Sequence, residues 1–320
     1  MPGDGERHRT ISANGVDLHV VERGTGRPVI LCHGFPELSY SWRHQLEALA
    51  AAGYRAVAPD QRGYGRTSQP PSVAEYDVEH LSGDLLGLLD DLGEERAVFV
   101  GHDWGAVVVW HLALAAPERV AGVVGLSVPF IPRTPLPPTE LIRAVTGERF
   151  HYILYFQAPG PADEELARDP RRTIVRTFWS FSGDAPPGSF RRLPREGTEY
   201  LDGMSDPPPV LPPWLTEGDL EHYASEFGRT GFTGALNWYR NMDRNWELSE
   251  PLDGRKVTVP ALFVAGDRDP VLRMTPPEVM DGWLTDLRGI VLLDGAGHWT
   301  QQERPDQVNR ELVAFLRGLD

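Results

Sequence analysis

The sequence predicts an α/β fold in which a mostly parallel, doubly wound sheet carries an inserted, mostly helical cap. Six short segments are nearly continuous in apolar residues, as buried parallel strands are. These segments are residues 28–32, 54–59, 97–101, 120–128, 259–266 and 289–294. Between them, apolar residues recur at three- and four-residue spacing, which predicts helices over residues 42–51, 80–92, 104–115 and 307–316. Strands that alternate with helices are typical of doubly wound sheets, whose ligands bind at the carboxyl ends of the strands. Residues 16–24 instead alternate polar and apolar side chains, which predicts an antiparallel edge strand.

The alternation of strands and helices stops at Pro129 and resumes near Val257. We expect residues 1–131 and 251–320 to form the core domain and residues 132–250 to form the helical cap. A cap above the strand ends would roof the site and exclude water from it. An irregular, solvated linker would not carry so many aromatic residues. The aromatic residues in or near the cap predict a lipophilic pocket: Phe130, Phe178, Trp179, Phe181, Phe190 and Trp214.

Composition argues against several classes of partner. The chain has 320 residues, and Lys+Arg of 31 against Asp+Glu of 46 gives a net charge of −15, which repels nucleic acid and anionic membrane surfaces. Cys32 is the only cysteine, the first residues lack an apolar secretion segment, and no apolar run reaches the roughly 18 residues that span a bilayer. We therefore expect a cytoplasmic protein without nucleic-acid or membrane partners, and the oligomeric state stays open. Lys256 is the only lysine among many arginines, a bias typical of a GC-rich bacterial genome.

Residues 98–110, VFVGHDWGAVVVW, have the strand, sharp turn and helix pattern of a nucleophile elbow. The motif usually carries serine at its centre, but here the central residue is Asp103. An aspartate before an apolar helix could also be an N-cap. A cap does not require glycine on both sides, whereas a strained elbow does, and Gly101 and Gly105 occupy those positions. We therefore interpret Asp103 as the nucleophile.

Two later loops supply an acid and a histidine. Asp267 and Asp269 follow the predicted strand 259–266, and His298 follows the predicted strand 289–294. Nucleophile, acid and histidine in this chain order are typical of a hydrolase triad. Asp269 is favoured over Asp267 because it lies farther out of the strand end, although either could reach a histidine.

The remaining histidines do not indicate a metal site. His33 and His102 lie on no loop that follows the acid, so we assign them to structural packing. Of the other histidines, none sits at a metal-ligand spacing with a second histidine or a cysteine. We expect neither a metal nor a cofactor.

Gly34-Phe35-Pro36 follows the predicted strand 28–32. The loop at this position should donate a backbone N–H to an oxyanion hole, and the second donor should be the N–H of Trp104. Glycine and proline also suit a simple tight turn, and both interpretations can hold together.

A carboxylate nucleophile suits attack on saturated carbon. Such an attack makes an ester whose carbonyl belongs to the enzyme, and water can then hydrolyse that ester through an oxyanion. Aspartate is already ionised at neutral pH, with a reference pKa of about 3.9, so His298 is needed only to activate water in the second step. Asp269 would orient and charge-balance His298. The leaving group could be an epoxide oxygen, which needs an acid, or a halide, which needs N–H donors.

Several longer motifs are similar to those of the α/β-hydrolase-fold epoxide hydrolases, particularly the hydrolase half of the animal soluble enzyme and its bacterial relatives. They are HGFPE (33–37), GHDWG (101–105), PFIP (129–132), YILYFQAPG (152–160), GFTGALNWYRNMDRNW (231–246) and GHWTQ (297–301). The resemblance covers nearly the whole chain from about Thr10, and Ala106 stands where animal members have a second glycine.

This resemblance implies conversion of a lipophilic epoxide and water to a vicinal diol. It places the nucleophile at Asp103, the acid at Asp269, the base at His298 and the oxyanion amides at Phe35 and Trp104.

The resemblance also implies that two cap tyrosines, Tyr152 and Tyr239, donate hydrogen bonds to the epoxide oxygen. A phenol stays protonated at pH 7, because its reference pKa is near 10, and is thus a suitable acid. Tyr155 is assigned to aromatic packing.

Two alternatives share these features. A haloalkane or haloacid dehalogenase would use the same fold, aspartate and histidine, and Trp104 suits a halide donor. Phe35, however, has no side-chain donor where many haloalkane enzymes carry asparagine, and Trp104 and Val107 stand where haloacid enzymes have arginines. A ligand receptor on a hydrolase scaffold would bind without turnover, which the intact catalytic residues argue against.

Overall fold

The computed structural model describes residues 5–189 and 193–319. Eight strands form one sheet in the order β1-β2-β4-β3-β5-β6-β7-β8. β1 and β2 pair with each other antiparallel, β2 pairs antiparallel with β4, and the remaining pairs are parallel. The strands are β1 Arg7–Ala13, β2 Val16–Arg23, β3 Pro28–Cys32, β4 Arg55–Pro59, β5 Ala97–His102, β6 Val120–Leu126, β7 Ala261–Gly266 and β8 Leu287–Leu293.

Twelve α-helices of the described chain lie around or beyond this sheet. Four long helices alternate with the strands or follow the last one: α1 Arg43–Ala51, α2 Val78–Asp91, α3 Trp104–Ala115 and α12 Pro305–Arg317, which follows the short α11 Thr300–Glu303. Seven helices lie between β6 and β7: α4 Pro138–Thr146, α5 Tyr152–Tyr155, α6 Pro161–Arg168, α7 Pro170–Phe181, α8 Glu217–Thr230, α9 Thr233–Arg240 and α10 Met242–Leu248. They form the helical cap that was predicted from the interrupted alternation of strands and helices and from the aromatic residues between Pro129 and Val257.

The nearly continuous apolar strands are explained by burial on both faces of the sheet. In β3, Ile30 joins an apolar cluster that includes Leu85 of α2 and Val108 of α3. Its neighbour Val29 joins a second cluster on the opposite face, which includes residues of α1 and α12 such as Leu46 and Leu312. Because successive side chains of a strand point to opposite faces, both must be apolar here.

The six predicted parallel strands are confirmed, each to within two residues at either end. Two aspects of the sheet were not predicted. β1, RHRTISA, was not predicted because most of its residues are polar. It lies at one edge of the sheet and pairs with β2. β8 is not buried on both faces as its apolar run suggested, since it lies at the other edge and leaves Ile290 41% and Leu292 50% exposed.

The cap packs onto the core through a shared apolar cluster. The cluster that contains Ile30 also contains Phe35 and Trp104 of the core together with cap residues such as Phe156 and Trp238. Across the described residues, no helix combines the length and apolarity needed to cross a bilayer.

Close packing of α3 against β3 makes Gly105 sensitive to substitution. A Cβ at Gly105 would collide with the carbonyl oxygens of Cys32 and His33, whereas a Cβ at Gly228 in α8 would meet open space. We expect Gly105→Ala to lower the free energy of unfolding by about 2 kcal/mol or more. The matched control Gly228→Ala should raise it by roughly 0.5–1 kcal/mol, because alanine loses less backbone entropy in a helix. Urea unfolding at unchanged m-value measures both, and a Gly105→Ala midpoint equal to the wild type would contradict the expectation.

Candidate active site

Asp103 lies at a sharp turn between β5 and α3. Its φ of +52° is in the region that side chains other than glycine rarely adopt. A Cβ on Gly101 would collide with the backbone of Gly105, and a Cβ on Gly105 would collide with the end of β3. The two glycines therefore have the steric role that the elbow pattern predicts. In the described chain the Asp103 side chain makes no capping hydrogen bond to α3, so its carboxylate is free to face the site.

The carboxylate of Asp103 contacts both the loop after β3 and the imidazole of His298. The backbone N–H of Phe35 donates a 2.8 Å hydrogen bond to Asp103 Oδ1. Asp103 Oδ2 lies 3.5 Å from His298 Nε2. The two carboxylate oxygens thus have different environments, one at the predicted oxyanion amide and one at the predicted base.

Asp269 rather than Asp267 faces the histidine. His298 Nδ1 lies 3.1 Å from Asp269 Oδ2 and 3.3 Å from Oδ1. Asp269 is buried at 1% exposure, and its Oδ1 also accepts a hydrogen bond from the backbone N–H of Val271. Asp267 is exposed and accepts the backbone N–H of Gly295. Sequence reasoning favoured Asp269 over Asp267, and the geometry brings Asp269 to the imidazole.

Two carboxylates flank the buried His298 and control its charge. Burial disfavours the imidazolium, but Asp269 and Asp103 outweigh burial and hold the pKa of His298 well above its ordinary value of 6.5. The protonated ring therefore stabilises the fold fully below pH 6.5, and that contribution is lost as the pH rises through the raised pKa. While both carboxylates carry their charge, the imidazole of His298 is protonated at neutral pH and cannot accept a further proton.

The two cap tyrosines predicted from the resemblance lie side by side. Tyr152 begins α5, Tyr239 lies in α9, and their ring centroids are 6.1 Å apart at an interplanar angle of 77°. Burial, and next the charge of Asp103, raise the pKa of both phenols above 10. Both rings therefore remain protonated at neutral pH. Tyr155 instead hydrogen-bonds with Glu165, in agreement with a packing assignment.

Aromatic rings surround these groups. The ring of Tyr239 lies 5.1 Å from Trp104 and 5.4 Å from Phe35 between centroids. Of the aromatic residues predicted near the pocket, Phe181 lies 5.9 Å from the ring of His298 and 6.3 Å from Tyr152. Phe178 packs instead on Trp299, 4.4 Å away, and Phe190 lies outside the described residues.

Sequence reasoning missed two aromatic residues of this cluster, Phe156 and Tyr200. Phe156 lies 5.1 Å from Tyr239 and 5.6 Å from Tyr152, and Tyr200 lies 5.9 Å from Tyr152. The signal for Phe156 was its place in the motif YILYFQ, one helical turn after Tyr152. Tyr200 has no such signal, because it comes from a separate turn of the cap.

A buried histidine–carboxylate pair, His102 and Glu37, lies behind the nucleophile. His102 Nδ1 lies 2.6 Å from Glu37 Oε2, and its Nε2 lies 2.7 Å from the carbonyl oxygen of His298. Both ring nitrogens of His102 therefore face oxygen acceptors. Burial opposes ionisation of Glu37, but His102 outweighs it and lowers the pKa of Glu37 to about 2. The structural assignment of His102 agrees with this arrangement, and its partner Glu37, in the motif HGFPE, was overlooked.

His33 also has a structural environment. Its Nε2 accepts the backbone N–H of Gln61, and its Nδ1 faces the carbonyl oxygen of Gly34. Burial lowers the pKa of His33, so the ring is neutral. Within the described part of the chain, no group of three histidine, cysteine, aspartate or glutamate residues is suited to hold a metal ion.

Comparison with known proteins places these features in context. The family model for the alpha/beta hydrolase fold matches residues 27–305. The chain is 54% identical to epoxide hydrolase A of Mycobacterium tuberculosis over 98% of both proteins. It is 43% identical to the bifunctional epoxide hydrolase 2 of Sus scrofa over 94% of this chain and 53% of that protein. The crystal structure of epoxide hydrolase A from Mycobacterium thermoresistibile superposes with a TM-score of 0.95 at 54% identity, covering 99% of each chain.

The charge of Asp103 should be measurable at His298. We expect Asp103→Ala to lower the pKa of His298, because one of the two carboxylates that stabilise the imidazolium is removed. NMR titration of the imidazole measures the shift. The control Asp267→Ala removes an exposed carboxylate that contacts Gly295, and the pKa of His298 should not change. A pKa that is equal in the wild type and Asp103→Ala would contradict the coupling.

Proposed function

Because this chain belongs to the epoxide hydrolases of the α/β-hydrolase fold, we propose that it opens lipophilic epoxides to vicinal diols through an ester on Asp103. The observation that carries the proposal is the Asp103 carboxylate, held between the Phe35 amide and His298 at the elbow. Relatives named as epoxide hydrolases match nearly the whole chain at 40% to 54% identity, which favours this activity over dehalogenation or binding without turnover.

The hydrogen bonding of Asp103 indicates which oxygen attacks. Oδ1 is held by the Phe35 N–H, whereas Oδ2 is not bonded to that amide. Oδ2 therefore attacks an epoxide carbon, and the electron pair of the broken C–O bond goes to the epoxide oxygen. Oδ1 becomes the carbonyl oxygen of the new ester, already placed at an oxyanion-hole donor.

Tyr152 and Tyr239 supply the acid that ring opening requires. An alkoxide is a poor leaving group unless its developing charge is stabilised by a hydrogen-bond or proton donor. Tyr239 is buried and Tyr152 is half-buried, and both phenols stay protonated at neutral pH. Because their ring centroids are 6.1 Å apart, we assign both hydroxyls to the same epoxide oxygen. A phenol proton moves to the epoxide oxygen as the ring opens.

Formation of the ester prepares His298 for the second step. The ester is neutral, so the contribution of Asp103 to the raised pKa of His298 disappears. His298 can then lose its proton, which through solvent restores the phenol that was deprotonated in the first step. The neutral imidazole accepts a proton from a water molecule, while Asp269 holds the ring through Nδ1. The hydroxide attacks the ester carbon, and the resulting oxyanion is held by the Phe35 and Trp104 amides. Collapse of this intermediate breaks the ester C–O bond, the departing alkoxide takes the proton of the new carboxylic acid, and the diol leaves with the Asp103 carboxylate and the imidazolium of His298 restored.

We propose the domain division predicted from the sequence, with a core of residues 1–131 and 251–320 and a cap of 132–250. Contacts between the two ends of the insertion support it. The guanidinium of Arg133 lies 3.8 Å from the ring centroid of Trp246, and the indole N–H of Trp246 donates to the carbonyl oxygen of Thr134. In this division the nucleophile and base belong to the core and the two phenols to the cap.

The cytoplasmic location and the lack of nucleic-acid and membrane partners stay predictions from composition. The acidic net charge of −15 supports the expectation about nucleic acid. A small lipophilic epoxide and water are the proposed reactants.

Heavy-oxygen water tests the covalent route. In a single turnover with enzyme in excess over a styrene-type epoxide, the hydroxide oxygen should enter the carboxylate of Asp103, and the diol should initially be unlabelled. Peptide mass spectrometry locates the label. Label that enters the diol directly and leaves Asp103 unlabelled would contradict the ester mechanism.

Loss of one phenol should slow the first step selectively. We expect Tyr239→Phe to slow ester formation by about 10- to 100-fold, because one of two acid donors is lost. Hydrolysis of the ester should be unaffected, since it depends on His298. Rapid-quench mass measurements of the alkyl-enzyme follow both steps, and Tyr155→Phe is the matched control. Equal rates in Tyr239→Phe and the wild type would exclude the acid role.

A further inference from the structure

We propose that Glu303 is a positioning residue that fixes the backbone around His298 against the cap and so sets the rate of ester hydrolysis. Glu303 ends the short helix α11 and is 5% exposed. Its Oε2 accepts the backbone N–H groups of Gly183 at 2.8 Å and Gly297 at 2.9 Å. Its Oε1 accepts the N–H of Trp299 at 3.0 Å. The inference rests on the proposed function, because it assigns a role within the second step.

The three N–H groups belong to the two segments that meet at the base. Gly297 and Trp299 are the residues on either side of His298, and Gly183 follows α7 of the cap. The backbone N–H of His298 itself donates to the carbonyl oxygen of Phe181 at 2.9 Å. The Glu303 carboxylate thus accepts hydrogen bonds from the backbone N–H groups on both sides of His298. His298 itself is hydrogen-bonded to the cap through its own backbone N–H.

The contact between these segments leaves no space for another side chain. A Cβ on Gly297 would collide with the backbone of Ser182 and Gly183, and a Cβ on Gly183 would collide with the backbone of Gly295 and Ala296. A buried N–H group that has no acceptor destabilises the fold, because it has lost its hydrogen bonds to water without replacement. Glu303 satisfies three such donors at once, which explains a buried carboxylate at this junction.

The consequence for catalysis follows from how His298 is held. Asp269 orients the ring through Nδ1, but the position of the whole side chain depends on its backbone. A displacement of about 1 Å can cost about 100-fold in rate when a reacting group must be aligned. Ring opening uses Asp103 and the phenols, whereas hydrolysis requires His298, so a shifted backbone should slow only the second step.

Glu303→Gln tests this role. The amide keeps one acceptor oxygen, and its NH2 group must face at least one backbone N–H, so the junction loses hydrogen bonds whichever way the amide turns. In single turnover with a styrene-type epoxide, we expect ester hydrolysis to slow by about tenfold or more. Ester formation should stay near the wild-type rate, and the alkyl-enzyme should accumulate. Equal slowing of both steps, or no change in either, would overturn the proposal.

Glu165→Gln is the matched control. Glu165 is also a buried carboxylate, at 4% exposure, and it accepts the backbone N–H groups of Tyr200 and Leu201 in the cap. We expect this variant to unfold at a lower temperature and to hydrolyse the ester at the wild-type rate, because its partner Tyr200 lies beside Tyr152, a group of the first step. If its ratio changed as in Glu303→Gln, the effect would reflect general loss of stability and the proposal would be wrong.

A second variant covers the possibility that Glu303→Gln does not fold. Glu303→Asp keeps a carboxyl group but shortens the side chain, so it cannot reach all three donors in place. It should show the same selective slowing of hydrolysis, and parallel slowing or unchanged rates would overturn the role of Glu303. A wild-type enzyme that forms no covalent adduct would instead overturn the proposed function itself.

Discussion

The positive φ of Asp103 turns the chain sharply between β5 and α3 within one residue. This turn fixes where the Asp103 carboxylate lies, and the other groups of the site are arranged around that carboxylate. A residue held in such a conformation costs of order 1–3 kcal/mol, which the surrounding packing must offset. β5 is buried along its whole length, and α3 packs directly on β3 through Gly105. The carboxylate consequently projects at the carboxyl edge of the sheet, where the loops after β3, β7 and β8 also end. The strained turn is thus held by a fully buried strand and by the close packing of α3 on β3.

The electrostatics of the site change during the proposed reaction. In the free enzyme His298 lies between Asp103 and Asp269, and this arrangement favours the imidazolium. Esterification neutralises one of the two carboxylates, which makes the same imidazole a better base without any movement of side chains. The covalent step would therefore control the protonation that the next step requires. Asp269, fully buried and bonded to the Val271 amide, keeps the ring oriented throughout.

Much of the sheet and the central triad could be predicted because they leave local signals in the sequence. Strands buried on both faces are continuous in apolar residues, and the elbow requires glycines at fixed spacing around Asp103. The choice between Asp269 and Asp267 depends on where a loop turns after β7, which residue order does not specify. Glu303 gave no signal, because its partners are backbone amides from segments more than one hundred residues apart, such as Gly183.

The same reasoning explains the errors at the edges of the sheet. β1 is mostly polar and β8 is apolar, yet both lie at edges of the sheet. The position of a strand depends on which other strands pair with it, and the composition of the strand does not specify this pairing. Tyr152 and Tyr239 were identified through the resemblance to epoxide hydrolases, since a tyrosine among other aromatic residues looks like ordinary packing. Their short separation is a tertiary property of α5 and α9.

The separation of the phenols from the carboxylate has a further implication for how such a protein can diversify. Tyr152 and Tyr239 lie on helices between β6 and β7, while Asp103, Asp269 and His298 follow strands of the sheet. Substitutions in the insertion can therefore change the lining of the proposed substrate pocket, while the positions of Asp103, Asp269 and His298 stay the same. A displaced insertion would also move the proposed proton donors away from Asp103, so a molecule that holds the insertion out of place would be poorly activated even when it reaches the carboxylate. Substrate choice and protection against unwanted alkylation would then depend on the same fit between the two parts.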